Sequence, residues 1–171
     1  MESERKYALI TGATSGIGYE LAKIFAENNY NLIIVARNQD KLNNKEKELK
    51  RLGIDVISIS KNLFKSEDTY SLYADLTLKG ISREILVNDA GQGVYGKFQE
   101  TDIHLEIDIV NLNIISVMIL TKLFITDRLD KGTGKILNLS SIASKSPGPW
   151  QSVYQGTKAL SNPGQRRSVK N

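Results

Sequence analysis

The chain of 171 residues contains no cysteine, one histidine, one tryptophan and three prolines. Without cysteine the protein forms no disulfide and has no thiol nucleophile, which fits a reducing compartment. The single histidine, His104, has no acidic or nucleophilic motif around it, so we expect a surface helix residue rather than a catalytic base. No grouping of residues in the sequence predicts a metal site.

An excess of charge of one sign is also lacking. Lys and Arg number 23 against 19 Asp and Glu, and the two signs are interleaved along the chain. This pattern favours a solvated surface over a nucleic-acid patch, since a binding stripe should cluster. No uninterrupted apolar run approaches the roughly 20 residues of a membrane span, and the charged residues 1–6 lead into a strand rather than forming a signal peptide. We therefore expect a cytoplasmic protein with neither nucleic-acid nor membrane partners.

The sequence does contain a regular alternation of two periodicities. Short apolar runs rich in β-branched residues alternate with segments whose apolar residues recur at helical spacing. The predicted strands are 7–11, 31–36, 54–60, 84–88 and 134–140. The predicted helices are 15–28, 39–52, 66–79 with Ser66 as N-cap, 102–129 in two pieces, and 152–160. Alternating strands and helices in one domain predict an α/β fold with a doubly wound parallel sheet.

The first strand ends in a glycine-rich loop, Thr11-Gly12-Ala13-Thr14-Ser15-Gly16-Ile17-Gly18. Its three glycines allow a sharp turn and let the backbone approach a pyrophosphate, because they carry no Cβ. The helix that begins near Ser15 presents free N–H groups and the positive end of its dipole to the phosphates. A glycine triplet also serves ordinary turns, but one that follows a strand and opens a helix favours a dinucleotide site.

The end of the second strand indicates which dinucleotide is bound. NAD-binding domains usually place an acidic residue there to hold the ribose hydroxyls, whereas this chain has Arg37 and Asn38. A guanidinium can pair with a 2′-phosphate, which a carboxylate would repel. The pattern favours NADP over NAD, and the alternative is a surface arginine at the end of a strand.

Tyr154 and Lys158 form a Tyr-x-x-x-Lys pair near the end of the chain, one helical turn apart and on the same face. A free phenol has a pKa near 10, too high for efficient proton exchange at neutral pH. A neighbouring positive charge favours the phenolate, so the pair is suited to passing a proton to or from a carbonyl or alcohol oxygen. Such a pair also arises by chance, so the inference depends on the other motifs.

Together with the glycine loop, several stretches resemble the short-chain dehydrogenase/reductase family over residues 7–160. They are Leu86-Val87-Asn88-Asp89-Ala90-Gly91, Asn113 eight residues before Thr121, Asn138-Leu139-Ser140-Ser141, and Tyr154-Gln155-Gly156-Thr157-Lys158. The resemblance implies a Rossmann-like sheet and an oxidoreductase that transfers hydride between NADP(H) and a small-molecule carbonyl or alcohol. It leaves the identity of the substrate open.

The resemblance also implies roles for individual residues. In the family the tyrosine is the general acid/base, the lysine also hydrogen-bonds the nicotinamide ribose, a serine holds the substrate oxygen, and an asparagine anchors a proton-relay water. Spacing matches the serine to Ser141 rather than Ser140, and the asparagine to Asn113 rather than Asn111. The implied catalytic residues are Asn113, Ser141, Tyr154 and Lys158. The implied cofactor-binding residues are Gly12, Thr14, Ser15, Gly16, Ile17, Gly18, Arg37, Asn38, Asn62, Asn88, Ala90, Gly91, Tyr154 and Lys158.

Three departures from the family pattern stand out. Asn62 replaces the usual aspartate that contacts adenine, and Asp89 places a carboxylate where an amide normally supports the central strands. After Leu160 the family helix normally continues, but residues 161–171 are basic and contain Asn-Pro-Gly, a helix stop. We therefore expect an incomplete NAD(P)-binding domain over 1–160, truncated after the fifth strand and the start of the next helix, and a non-family tail over 161–171.

Three hypotheses about function follow. The first is a shortened NADP-dependent oxidoreductase. The second is a non-catalytic dinucleotide-binding remnant of a truncated or frameshifted copy. The third is an interaction protein that uses the exposed sheet edge, a feature that also predicts self-association or a homo-oligomer.

Overall fold

The structure is a computed structural model that describes residues 6–146 and 148–160. Its strands are β1 (Tyr7–Thr11), β2 (Asn31–Ala36), β3 (Val56–Ser60), β4 (Arg83–Asn88) and β5 (Lys135–Asn138). Its helices are α1 (Gly16–Glu27), α2 (Gln39–Lys50), α3 (Ser66–Leu78), α4 (Ile103–Val110), α5 (Ser116–Leu129) and α6 (Ser152–Leu160). A π-helical turn, Asn111–Ile115, joins α4 to α5, and a 3₁₀ turn, Ile142–Ser144, follows β5.

The five strands form one parallel sheet in the order β3-β2-β1-β4-β5. This order reverses direction at β1, so the chain winds outward on both sides of it, as the alternation of strands and helices predicts. All five residues of β1 are buried, as are the four apolar residues 32–35 of β2. Strands buried on both faces consist of continuous apolar runs, which is why their bounds were predictable. The α/β class and the doubly wound sheet are confirmed.

Two apolar cores lie on opposite faces of the sheet. One core packs β-strand side chains such as Leu9 and Leu86 against α3 and α5, where Phe124 is 1% exposed. The other packs Ile10 and Ile34 against α1 and α2. Alternate residues of each strand point to opposite faces, so both helical layers gain a full set of contacts.

The beginning of α3 differs from the prediction. Ser66 is the first helical residue, and the N-cap position is Lys65, whose side chain makes no capping hydrogen bond. The preceding turn is held instead by Asp68, whose carboxylate accepts the amide N–H of Asn62 at 2.9 Å. The prediction of Ser66 as N-cap is therefore wrong, because a carboxylate in the first turn meets a free N–H and leaves the serine no capping role.

The segment 102–129, predicted to be helical in two pieces, forms the α-helices α4 and α5, and the π turn between them makes one helical run over residues 103–129. By length and composition alone this helix could cross a membrane, since it has 27 residues and a mean hydropathy of 1.9. The segment still holds no uninterrupted apolar run of about 20 residues, because polar residues such as Asn111, Asn113 and Ser116 interrupt it, but these residues lower its average hydropathy only a little. In the fold Leu112, Leu120 and Phe124 of this helix pack in the core under the sheet, and a core helix of a soluble protein passes the same test.

The outer strand β5 is much more exposed than the others. Among the described residues it pairs only with β4, and Leu137 retains 42% of its accessible surface. The predicted tail over 161–171 lies outside the described residues.

Candidate functional site

A cleft of about 460 Å³ opens where the carboxyl ends of β1, β2 and β4 meet the first turn of α1. We call it the glycine-loop cleft. It is lined by Gly12, Thr14, Ser15, Gly16, Ile17, Val35, Ala36, Arg37, Asn38, Lys41, Lys61, Leu63, Asp89, Ala90, Gly91, Gln92 and Leu112. It lies at the position where strand order reverses, the usual ligand position in open parallel sheets.

The three glycines of the loop have different structural roles. Gly12 has φ +74°, and a Cβ there would lie 2.9 Å from the amide nitrogen of Ala90. A Cβ on buried Gly18 would lie 2.5 Å from Oδ2 of Asp89, so this glycine allows α1 to pack closely on the loop after β4. Gly16 has φ +57° and nothing within 4 Å of a Cβ position, so its backbone faces open space in the cleft. These placements suit a dinucleotide loop: two glycines allow close packing and the third leaves room for a ligand.

The N-terminus of α1 is available to an anion. Ser15 is its N-cap residue, but the serine side chain makes no capping hydrogen bond. First-turn N–H groups without such a cap are the donors that phosphates use at helix N-termini. The Asp89 carboxylate accepts the backbone N–H of Gly18 and brings a negative charge to the same helix end.

Basic side chains lie at the far end of the glycine-loop cleft. The Arg37 guanidinium stacks over the ring of Phe64, with Cζ 4.6 Å from the ring centroid. In the described part of the chain no carboxylate pairs with it, and Lys41 also lines this end. The Asn38 side chain caps α2 by accepting the amide N–H of Lys41 at 2.8 Å. A free guanidinium held on an aromatic face can receive a phosphate.

Two predicted cofactor-binding asparagines do not line the cleft. Asn62 lies between two lining residues, and its Oδ1 accepts the amide N–H of Phe64 at 3.3 Å. Asn88 is buried at the end of β4 and donates through Nδ2 to Oδ1 of Asn138 at 2.8 Å and to Thr121 Oγ1 at 3.3 Å. These contacts fix the turn before α3 and the β4–β5 junction, and the cofactor roles of both residues stay predictions.

A second cleft of about 450 Å³ adjoins the first and contains Tyr154. We call it the tyrosine cleft. It is lined by Ile17, Asp89, Gly91, Gln92, Gly93, Val94, Tyr95, Leu139, Ser140, Gln151, Tyr154 and Lys158. Ile17, Asp89, Gly91 and Gln92 border both clefts. A ligand that fills the glycine-loop cleft and passes Gly91 would therefore reach Tyr154.

Helix α6 brings Tyr154 and Lys158 to the same cleft. The Tyr154 ring packs on Gly93, where a Cβ would lie 2.9 Å from Cδ2 of the ring. Lys158 is 8% exposed and donates from Nζ to the carbonyl oxygen of Leu139 at 3.0 Å. The Ser140 hydroxyl donates to the carbonyl oxygen of Lys158 at 2.9 Å, so the turn after β5 holds α6 in place.

Lys158 and Asp89 influence each other's charge. Burial lowers the pKa of the Lys158 ammonium, and the nearby Asp89 carboxylate opposes that shift. Burial likewise raises the pKa of Asp89, while the Gly18 N–H and Lys158 oppose the rise. Desolvation is the largest cause for both groups, so neither is fully compensated by the other.

Asn113 lies in the π turn between α4 and α5 and is 2% exposed. Its Nδ2 donates to the carbonyl oxygen of Gln92 at 2.9 Å and to Thr157 Oγ1 at 2.9 Å, while its Oδ1 accepts the Gln92 N–H at 3.1 Å. A Cβ on Gly91 would lie 3.2 Å from Lys158 Nζ and 3.4 Å from Asn113 Oδ1. The π turn thus aims Asn113 at the junction of the two clefts, a common use of such turns.

The two adjacent serines have different surroundings. Ser140 lines the tyrosine cleft, whereas the Ser141 hydroxyl accepts the amide N–H of Ala143 at 3.2 Å and caps the 3₁₀ turn. The structure therefore brings Ser140, Tyr154 and Lys158 together, and the catalytic role of Ser141 stays a prediction.

Sequence reasoning did not single out several residues that line the clefts. Gln92 borders both clefts, Tyr95 and Gln151 border the tyrosine cleft, and Lys41 and Lys61 border the glycine-loop cleft. Gln92 and Tyr95 lie within the glycine-rich stretch after β4, which is the signal that could have identified them. Lys41 could have been recognised from its place in the first turn of α2, just after Arg37.

Comparisons with known proteins agree with this geometry. The profile of the short chain dehydrogenase family matches residues 6–162. The very-long-chain 3-oxoacyl-CoA reductase of Neurospora crassa is 33% identical over 159 residues, which are 90% of this chain and 48% of that protein. The chain spans about half the length of the curated relatives it matches.

Solved structures that resemble this chain are also dehydrogenases. The bulky-bulky ketone specific alcohol dehydrogenase from Comamonas testosteroni is 29% identical, with a TM-score of 0.86, and the match covers 92% of this chain and 64% of that one. A short-chain dehydrogenase from Sphingobium yanoikuyae in complex with NADPH is also 29% identical, with a TM-score of 0.85 and coverage of 91% and 60%. The glycine loop, the Tyr154–Lys158 pair and the profile match all point the same way, and the chain belongs to the short-chain dehydrogenase/reductase family, which makes it an oxidoreductase by ancestry.

Proposed function

We propose that the protein transfers hydride between NADP(H) and a carbonyl or alcohol substrate, with Tyr154 as the general acid/base. The observation that carries the proposal is the meeting of the two clefts at Gly91, with Tyr154 and Lys158 on one side and the α1 N-terminus on the other. A bound nicotinamide supplies the hydride. The relatives named above support a carbonyl substrate, because their names refer to a 3-oxoacyl group and to a ketone.

The chain's own residues have distinct tasks in this proposal. The α1 N–H groups and the open backbone at Gly16 hold the pyrophosphate, and Arg37 holds the 2′-phosphate on the face of Phe64. The Tyr154 hydroxyl gives its proton to the carbonyl oxygen as hydride reaches the carbonyl carbon, so an alcohol forms. The Lys158 ammonium stabilises the phenolate left on Tyr154. In the oxidative direction each transfer reverses.

The preference for NADP rests on charge. Arg37 is free of carboxylate partners among residues 6–146 and 148–160, and Lys41 lies beside it in the cleft. The structural neighbour from Sphingobium yanoikuyae is an NADPH complex, which supports a phosphorylated dinucleotide. NAD would leave both cations without an anion.

The test is Tyr154→Phe, which retains the ring and removes the proton. NADPH consumption with a 3-oxoacyl thioester and with aryl alkyl ketones should fall by about 10²–10⁴-fold, while NADPH affinity, measured by NADPH fluorescence, should hardly change. Tyr70→Phe is the matched control, because Tyr70 is exposed on α3 and lines neither cleft. Retention of full turnover in Tyr154→Phe would falsify the assignment. NADPH binding without turnover in the unchanged protein would support the non-catalytic alternative.

A further inference from the structure

Two exposed aromatic side chains form a pair at the edge of the tyrosine cleft. Tyr95, in the loop after β4, and Trp150, just before α6, have ring centroids 5.4 Å apart and ring planes at 84°. Tyr95 is 63% exposed and Trp150 is 51% exposed. Edge-to-face contact is a favourable arrangement for two rings, yet each leaves more than half of its surface to solvent.

Hydrogen bonds to the backbone hold this pair in place. The amide N–H of Gly96 donates to the carbonyl oxygen of Trp150 at 2.9 Å, which joins the two loops. Trp150 has φ +69°, a left-handed conformation that is unfavourable for a residue with a large side chain. Gln155 of α6 donates from Nε2 to the carbonyl oxygen of Gly148 at 2.9 Å. Trp150 is therefore kept in a strained conformation by contacts on both sides, and that conformation places its ring against Tyr95.

The pair continues the cleft that contains Tyr154. Tyr95 and Gln151 both line that cleft, and Gly93, two residues before Tyr95, packs on the Tyr154 ring. A substrate whose carbonyl oxygen reaches the Tyr154 hydroxyl must extend away from it. Along the 93–95 segment that direction leads to the aromatic pair.

Charge indicates which chemistry fits this region. Among the described residues that line the tyrosine cleft, the only charged side chains are Asp89 and Lys158. Lys158 Nζ lies near Gly91 and the Asp89 carboxylate lies near Gly18, and Asp89 and Gly91 also line the glycine-loop cleft. The Tyr95 side of the cleft has no charged side chain among these residues. The residues on that side, Gly93, Val94 and Tyr95, combine apolar and aromatic surface, which is typical of the walls of small-molecule sites.

We propose that Tyr95 and Trp150 form a subsite for the uncharged, apolar alkyl or aryl substituent of the carbonyl substrate. This rests on the proposed function, because it takes the Tyr154 hydroxyl as the point where the carbonyl lies. The pair acts in binding and specificity, and it takes no part in the transfer of hydride or proton.

Trp150 is the only tryptophan of the chain, so its fluorescence reports on this subsite alone. The experiment titrates the NADP⁺ complex with straight-chain 2-alkanones of increasing length, so that binding is read without turnover. We expect a change in Trp150 fluorescence, and a dissociation constant that decreases by up to about fourfold for each added methylene. Tyr95→Ala should abolish most of the increase in affinity that each added methylene gives. Tyr95→Phe should keep that increase, and Tyr70→Ala, at an exposed tyrosine that lines neither cleft, should leave it unchanged.

A second measurement needs no variant and so does not depend on folding of Tyr95→Ala. An alkanone with a terminal carboxylate should bind the unchanged protein at least roughly tenfold more weakly than the uncharged alkanone of equal length, because the carboxylate would be desolvated without a partner. Equal affinities would overturn the subsite. Three other outcomes would also overturn the subsite. They are an affinity that does not depend on chain length, an unchanged Trp150 signal at the highest alkanone concentration, and an unaltered chain-length dependence in folded Tyr95→Ala.

The outcomes also separate the subsite from the proposed function. If turnover depends on Tyr154 but alkanone affinity does not depend on chain length, the subsite is overturned and the proposed function is retained. Binding that depends on chain length and on Tyr95, in a protein with no NADPH consumption, supports the subsite and overturns the function.

Discussion

β2 and β5 contain similar apolar residues but lie in very different surroundings. In β2 the residues 32–35 are fully buried between neighbouring strands and two helical layers. In the part of the chain that the structure describes, β5 pairs on one side only, and Leu137 is 42% exposed. The glycine-loop cleft is built on β1 and β2, while the tyrosine cleft depends on Leu139 and Ser140, which follow β5 directly. The region that would hold cofactor is therefore built on fully buried strands, and the region that would carry out proton transfer is built on an exposed edge strand.

The largest effect should come from Lys158→Met, which disrupts the tyrosine cleft while keeping most of the side-chain volume. The buried ammonium is lost, and with it the hydrogen bond to the Leu139 carbonyl. We expect turnover to fall by about 10²–10⁴-fold, and NADPH affinity to weaken by roughly tenfold because one charged donor is removed. Steady-state kinetics and NADPH fluorescence measure the two effects.

Lys47→Met is the control for that change, since Lys47 is exposed on α2 and lines neither cleft. If Lys158→Met and Lys47→Met had the same turnover, Lys158 would have no part in the chemistry.

A matched pair of leucines compares the two strands directly. Leu32→Ala removes a side chain that is 0% exposed in β2, and should reduce the free energy of unfolding by about 2–5 kcal/mol. Leu137→Ala makes the same chemical change in β5, and should cost under about 1 kcal/mol because the side chain is already half in water. Urea unfolding of the two variants measures both values. Similar losses would show that β5 is as well packed as β2, and would contradict the comparison.

Much of the fold could be predicted because its strands are buried on both faces. The bounds of β1 and β2 were predicted correctly, since apolar β-branched runs between helical segments have few other interpretations. The bounds of β5 were predicted too wide, 134–140 against Lys135–Asn138. Apolar residues continue past the last ladder pair, and sequence alone does not show where a neighbouring strand ends.

Other features depend on contacts that no local pattern encodes. The π turn that aims Asn113 at Gly91 requires one extra residue in a helical turn, and a continuous apolar helix of the same composition would look identical in sequence. Likewise, the Tyr95–Trp150 pair joins residues 55 positions apart across two loops. Spacing could identify Tyr154 and Lys158, which lie on one helix face, but not which of two adjacent serines faces the cleft.

A change at Arg37 tests the glycine-loop cleft without altering the lining of the tyrosine cleft. Arg37→Asp removes the guanidinium above Phe64 and puts a carboxylate where a 2′-phosphate would bind. We expect the ratio of NADH to NADPH dissociation constants to fall by about 10–100-fold, the size of one or two charge-assisted hydrogen bonds. Arg51→Asp, at the exposed end of α2, makes the same charge change away from the clefts. Equal affinities for the two cofactors in the unchanged protein would rule out the assignment of Arg37.

The smallest effect is expected at Asp89, which borders both clefts. Burial raises the pKa of this carboxyl group above its ordinary value near 4. At a pH between the ordinary pKa and the raised pKa, the folded protein therefore binds more protons than the unfolded chain. The free energy of unfolding therefore falls as pH rises through that window, and the penalty persists at neutral pH. Asp89→Asn removes the penalty, because the amide oxygen can still accept the Gly18 N–H and carries no charge. The variant should be more stable at pH 7 by on the order of 1 kcal/mol or less.

The greater stability of Asp89→Asn should disappear on acidification. Below the ordinary pKa of an aspartate, the Asp89 carboxyl group is protonated and neutral, as is the amide that replaces it in the variant. Urea unfolding of both proteins across the acidic range measures this loss, with exposed Asp108→Asn as the control.

Lys158 has the opposite effect on stability at alkaline pH. Burial lowers its pKa, so the folded protein binds fewer protons there than the unfolded chain and gains stability as pH rises. Asp89→Asn should also bind NADPH about two- to fivefold more tightly than the parent, because the variant lacks the negative charge beside the α1 N-terminus. A variant less stable than the parent at neutral pH, or an advantage that persists unchanged below pH ~4, would show that the Asp89 charge is fully compensated by Gly18 and Lys158. The two clefts would then be joined by a stable ion pair rather than by an unfavourable buried carboxylate.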